Sequence, residues 1–151
     1  MKVLSIKQPW ASLICTPRPD NNLLGIKDIE NRTWKTNYRG RIYIHASQKS
    51  AGKMSQILTN EQYYYVKESG WKNGTYKPLS AIIGEVDIVD CVINHESIWA
   101  EKVEMPAGHY MGEKLIYNWV LANPVSYDTP ILNVKGKLSF WEFTKPQNFK
   151  K

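Results

Sequence analysis

A chain of 151 residues, 42% hydrophobic and 23% charged, has the size and make-up of one folded globular domain. Its formal charge of +6 favours a polyanionic partner through long-range attraction, and no apolar run of about eighteen residues exists to cross a membrane. The opening is broken early by Lys2 and Lys7, unlike a secretory signal, and the distant Cys15 and Cys91 make neither a disulfide scaffold nor a Cys-x-x-Cys metal site, so a reduced, cytoplasmic setting is expected.

Val3–Ile6 reads as a short opening strand. Pro9 suits the first helical position, and Trp10, Leu13 and Ile14 give a short helix an apolar stripe. Thr16–Asn22, with Pro17, Pro19 and two Asn, reads as a loop. Asp28–Trp34 alternates, with Ile29 and Thr33 on one face and Glu30, Arg32 and Trp34 on the other. Asn37–Gly40 is turn-like. Arg41–Ser47 alternates again, turning Ile42, Ile44 and Ala46 to the core and Tyr43, His45 and Ser47 away from it. Ser50–Lys67 predicts one long helix, and Trp71–Pro78 is irregular. Ser80–Ile93 is the strongest strand signal, rich in Ile and Val, with Gly84 as a bulge position. His95–Glu113 shows no period. Lys114–Val125 reads as a strand and Leu138–Thr144 as a closing one. Short strands with two helices and no βαβ rhythm predict an α+β, mainly β fold, a small antiparallel barrel with flanking helices, as a single domain over residues 1–151.

Charge is unevenly spread along these elements. Residues 1–53 hold ten Lys and Arg against three Asp and Glu, residues 54–104 four against eight, and residues 105–151 six against three. The positive excess belongs to the first third of the chain, which predicts a basic face there.

The usual catalytic signatures are missing. No Walker-type loop, Gly-x-Ser-x-Gly elbow or His-Glu-x-x-His occurs, and His45, His95 and His109 are scattered, so neither metal nor cofactor is expected. What remains is a dense polar and aromatic cluster: Gln8, Trp10, Lys27, Glu30, Arg32, Trp34, Tyr38, Arg39, His45 and Ser47. If the two alternating strands pair, Glu30, Arg32 and Trp34 lie beside Tyr43, His45 and Ser47. A carboxylate between Lys27 and Arg32 holds both cations in place, a flat indole offers a base a stacking surface, and the Gln8 amide can present donor and acceptor to a base edge. The plainer reading makes Glu30 an ion-pair residue closing a barrel end, with Trp10 and Trp34 as core.

Leu4-Ser5-Ile6 followed by Gln8-Pro9-Trp10-Ala11-Ser12-Leu13 resembles the opening of ASCH domains, the activating signal cointegrator homology family. Gly25-Ile26-Lys27, then Glu30-Asn31-Arg32-Thr33-Trp34 and Tyr38-Arg39-Gly40, continue the resemblance, as do His45-Ala46-Ser47 and Gly84-Glu85-Val86-Asp87-Ile88-Val89-Asp90-Cys91. Lys135-Gly136 with Trp141 looks like the family's closing strand. The resemblance runs from Leu4 to about Phe143 and is most specific in its first half. It implies a PUA-like barrel with helices packed around a cleft, lined by the Lys27, Glu30 and Arg32 positions and used for RNA or modified nucleobases. Some small bacterial members look like amidohydrolases of acylated cytidine that use a Lys, a Thr and a Glu. Lys27 matches that lysine, but Glu30 stands at the threonine position, and the third residue has only unaligned candidates in Glu96, Glu101 and Glu104. Other members look like metal-assisted ribonucleases, whose ligand spacing is absent here.

The leading expectation is a nucleic-acid-binding module. Lys7, Lys27, Lys35, Arg39, Arg41, Lys49 and Lys53 supply phosphate contacts, and Gln8, Trp10, Glu30, Arg32 and Trp34 form the base pocket with Tyr38, His45 and Ser47 around it. Single-stranded RNA is favoured over single-stranded DNA, because aromatic pockets read unstacked bases. A second expectation is a hydrolase on a nucleoside or RNA, with Lys27 and Glu30 as its acid and base. A third is a protein-interaction domain using Trp71, Trp99 and Tyr63–Tyr65 as an exposed patch.

Overall fold

The computed structural model describes residues 1–72, 78–104 and 115–147. Strand β1 (Lys2–Ile6) leads into a short helix, α1 (Trp10–Cys15), whose residues Ala11 to Cys15 are all buried. Pro9 stands at its N-cap without a side-chain acceptor; Gln8 Oε1 takes the Ser12 amide at 2.9 Å instead. The expected loop over Thr16–Asn22 is a hairpin, β2 (Pro17–Arg18) against β3 (Asn21–Gly25). Its turn-forming residues are concentrated at Pro19 and Asp20 and leave the flanking backbone free to pair.

Strands β4 (Ile29–Arg32), β5 (Gly40–Ala46), β6 (Ala81–Val92), β7 (Tyr117–Ile131) and β8 (Phe140–Glu142) complete the framework. With β1 they form one six-stranded sheet in the order β4-β7-β6-β5-β1-β8. Every pairing in it is antiparallel except β1 with β5, where Leu4 lies opposite Ile44 in parallel. Register shifts at Ile82/Gly84, Glu85/Asp87 and Ile88/Asp90 curl the sheet into a half-barrel. Gly84 is required there: a Cβ would lie 2.2 Å from Val125 O and 2.8 Å from Cys15 Sγ, where α1 presses on β6. The architecture is the α+β, mainly β barrel expected from the strand pattern, and it is consistent with the PUA-like fold that the resemblance implies.

Three expectations change. Strand β4 pairs with β7, Glu30 facing Trp119, and not with Arg41–Ser47. Strand β5 has no free edge, because β6 and β1 hold both of its sides. The long helix over Ser50–Lys67 divides into α2 (Met54–Ile57) and α3 (Asn60–Glu68), with Leu58 and Thr59 extended between them. Thr59 stops propagation because it caps α3: its side chain accepts from the Gln62 amide, and the Gln62 side chain accepts from the Thr59 amide. Strand β7 runs on to Ile131, beyond the expected end at Val125. Residues 73–77 of the irregular Trp71–Pro78 stretch, and Lys114 and His109, lie outside the described residues.

The two edge strands, β4 and β8, approach each other across the open seam. Arg32 reaches over it to the Ser5 carbonyl at 2.9 Å, and the Trp34 ring meets Phe140 edge-on at 5.6 Å between centroids. The cleft described next lies along this seam.

Candidate nucleic-acid interface

The seam is organised by one carboxylate between two cations. Lys27 follows β3, its amide tied to the Leu13 carbonyl of α1 at 3.1 Å, and its side chain is buried. The ammonium donates to the Ile29 carbonyl, lies 3.6 Å from Glu30 Oε1 and stands 5.5 Å from the centre of the Trp10 ring. Glu30 Oε2 accepts from Arg32 at 2.8 Å, and Arg32 then continues to Ser5. Burial pushes the Lys27 ammonium below the ordinary lysine value; the neighbouring Glu30 charge pulls the other way without overcoming it.

Two lobes with shared walls open on this ladder. An inner lobe of about 340 Å³ lies among Trp10, Lys27, Glu30, Trp99 and Glu101, with α2 and α3 contributing Ile57 and Gln62. An outer lobe of about 480 Å³ is bounded by Lys7, Arg32, Trp34, Ser47 and the Lys137–Ser139 loop. Trp10, Glu30 and Asn31 line both. Asn31 is the clamp: its amide nitrogen donates to the Trp99 carbonyl at 3.0 Å, and its oxygen accepts from the Glu101 amide at 3.0 Å and from Asn118 at 2.8 Å. Gln62 donates to the Ile98 carbonyl at 2.8 Å and Ser97 to Asp28 at 2.6 Å, so the aperiodic stretch before Glu104 is pinned from three sides. Among the described residues, no three His, Cys, Asp or Glu side chains converge to hold a metal ion.

With that geometry in hand, comparison with known proteins is decisive. A family model for the ASCH domain matches residues 4–131. The chain belongs to the ASCH domain family. It is similar to activating signal cointegrator 1 of Homo sapiens and of Mus musculus, 34% identical to each over 91 residues, which is 59% of this chain and 14% of each relative. The chain therefore spans a small part of the length of these relatives.

Within this ASCH domain, Trp10, Lys27, Glu30, Arg32, Trp34 and Ser47 come together in the cleft. Other expected site residues do not. Gln8 is buried, with its oxygen committed to α1, and lines neither lobe. Tyr38 donates to the Arg41 carbonyl at 2.9 Å and packs against Phe140. Arg41 is taken up by Glu85 at 3.0 Å and Asp87 at 3.3 Å, and Arg39 by Thr36 and Tyr38 carbonyls with Asp90 at 3.7 Å. His45 is buried: Nε2 faces the Val134 carbonyl at 2.7 Å, so it donates there, and Nδ1 accepts from Ser5 Oγ at 3.0 Å. Burial lowers its pKa, and it is held neutral as a brace between β5, β1 and the loop before β8.

Lys49 is exposed, and Lys53 lines a separate groove with Lys67 and Trp71. Trp99, expected in an exposed patch, is 2% exposed and forms the floor of the inner lobe, edge-on to Trp10 at 6.4 Å. Asn31, Thr59, Gln62, Lys137 and Ser139 were not singled out from the sequence. The Thr59/Gln62 capping signature is legible there, but nothing local says that this helix start faces the cleft.

Proposed function

We propose that this ASCH domain binds single-stranded nucleic acid, RNA foremost, by drawing a base or modified nucleobase into the cleft while its phosphates follow the basic outer lobe. The observation that carries the reading is the pairing of indole surfaces with fixed charge: Trp10 and Trp34 flank a Lys27–Glu30–Arg32 ladder whose members hold one another in place. Stacking on an indole suits any base face, and a guanidinium already anchored to Glu30 and Ser5 loses little further freedom on meeting a ligand. Lys7, Arg32 and Lys137 around the outer lobe supply positive charge for the backbone. Free Cys15 and Cys91 suit a reduced, cytoplasmic setting. No helix among the described residues is long and apolar enough to cross a membrane.

One observation favours a second reading, hydrolysis of a nucleoside or RNA: a buried lysine with a lowered pKa is what a lysine base or nucleophile needs. Against it, the Lys27 ammonium is engaged by Ile29, Glu30 and the Trp10 face together. A titration with short single-stranded RNA, single-stranded DNA and duplex at two salt concentrations, followed by mass analysis of the recovered oligonucleotide, separates the readings. Saturable, salt-sensitive binding with intact oligonucleotide supports the binding module. A cleaved or mass-shifted oligonucleotide supports the hydrolase, and no binding to any of the three rejects the binding module.

A further inference from the structure

The polar groups of the inner lobe are nearly all spoken for. Asn31 is engaged at both ends of its amide, Gln62 accepts from Thr59 and donates to Ile98, and both Glu30 oxygens face cations. Two groups are left over. The Trp99 indole N–H is, among the described residues, the one buried side-chain polar atom without a hydrogen-bond partner, on a residue that is 2% exposed. A buried donor left unmade is costly, so its persistence beside a cleft points to a ligand that answers it. The second is the exposed Glu101 carboxylate, which among the described residues makes no hydrogen bond or ion pair, although the backbone beneath it is fixed on both sides, its amide on Asn31 at 3.0 Å and its carbonyl on Asn118 at 3.2 Å. It lines the inner lobe together with Trp10, Lys27 and Trp99.

We propose that the inner lobe selects guanine over the other bases. This deepens the nucleic-acid reading above and rests on it. An indole N–H can only donate, and an ionised carboxylate can only accept, through two oxygens. The matching ligand edge therefore offers one acceptor and two adjacent N–H donors. The Watson–Crick edge of guanine carries O6 beside N1–H and the 2-amino group. Adenine and cytosine place a ring-nitrogen lone pair beside a single amino donor, which would meet the carboxylate with like partial charge. Uracil has one N–H between two carbonyls. The Trp10 ring gives such a base a flat surface, and the outer lobe, with Lys7, Arg32 and Lys137, receives the flanking phosphates. Trp99 reads O6, and Glu101 reads N1–H and the 2-amino group.

The test uses the full chain and two kinds of probe: the nucleotides GMP, IMP, AMP, CMP and UMP, and U-tract RNAs carrying a single central G or A. The expected result is GMP bound at least about tenfold more tightly than AMP, CMP or UMP, with IMP, which lacks the 2-amino group, intermediate. Glu101→Gln, on an exposed side chain, and Trp99→Phe, which keeps the ring and removes the N–H, each bring the G/A ratio to within about threefold. If Trp99→Phe does not fold, the IMP comparison and Glu101→Gln still decide. Equal affinity for the single-G and single-A RNAs, with salt-sensitive binding of both, overturns the selection and leaves the cleft as a general reader. Failure of both RNAs to bind overturns the nucleic-acid reading itself.

Discussion

Glu30 is a nearly buried anion with a cation on each side, and that position makes it a structural member of the site before any ligand arrives. Glu30→Gln leaves the Lys27 ammonium buried without its counter-charge, a change that costs about 3 kcal/mol. Urea unfolding reads this directly, and an unchanged midpoint contradicts the role given to the pair. His45 provides the second prediction. Its pKa is lowered by burial, against the opposing pull of the Val134 carbonyl, so below the usual 6.5 the unfolded chain binds a proton that the folded one resists. Stability therefore falls as pH drops through that region, by at most about 1.4 kcal/mol per pH unit for this one group. In His45→Gln the unfolding free energy changes less between about pH 7.5 and 5.5 than in the parent; equal slopes in the two proteins contradict the assignment.

The elements that carry the cleft differ in how far they are readable from sequence. Glu30, Arg32 and Trp34 fall within one short alternating stretch, so their common face follows from the two-residue period of a strand, and Lys27 joins them from the link between β3 and β4. The partner of that strand does not: β7 is about ninety residues away in sequence, and the choice follows from β5 being occupied on both edges by β1 and β6. Trp99 and Glu101 lie in a stretch with no hydrophobic period, positioned by side-chain bonds from Asn31, Gln62 and Asn118 rather than by its own backbone pattern. The α2–α3 break was locally written, since Thr59 and Gln62 have capping-box spacing, yet the helical residues on either side masked it. Removing the cap with Thr59→Ala lowers stability by about 1 kcal/mol. Because Gln62 also bonds the Ile98 carbonyl, the same change loosens the loop under the inner lobe, and hydrogen exchange at residues 98–101 rises in the variant. A variant with unaltered exchange there means that the loop is held without the cap.

On the scale of the whole molecule, the half-barrel brings its two edge strands together and leaves between them a cleft bounded by elements from both ends of the chain. Basic residues of the first third flank it, and the acidic middle segment contributes Glu101 to the inner lobe. Arg39 stands outside the cleft, its terminal nitrogen 3.7 Å from Asp90 on an exposed surface, so its contribution to binding is long-range. Arg39→Glu is expected to weaken RNA binding and to flatten its dependence on salt between about 50 and 300 mM, without altering which base is preferred. An unchanged salt slope contradicts a phosphate-facing role for this side of the barrel. The central claim, that the seam between β4 and β8 is where nucleic acid binds, is tested most directly by photo-crosslinking the intact protein to short single-stranded RNA and mapping the modified peptides. The account predicts adducts at Trp10, Trp34 and the Lys137–Ser139 loop. Adducts confined to the separate Lys53, Lys67 and Trp71 groove, or none at all, contradict it.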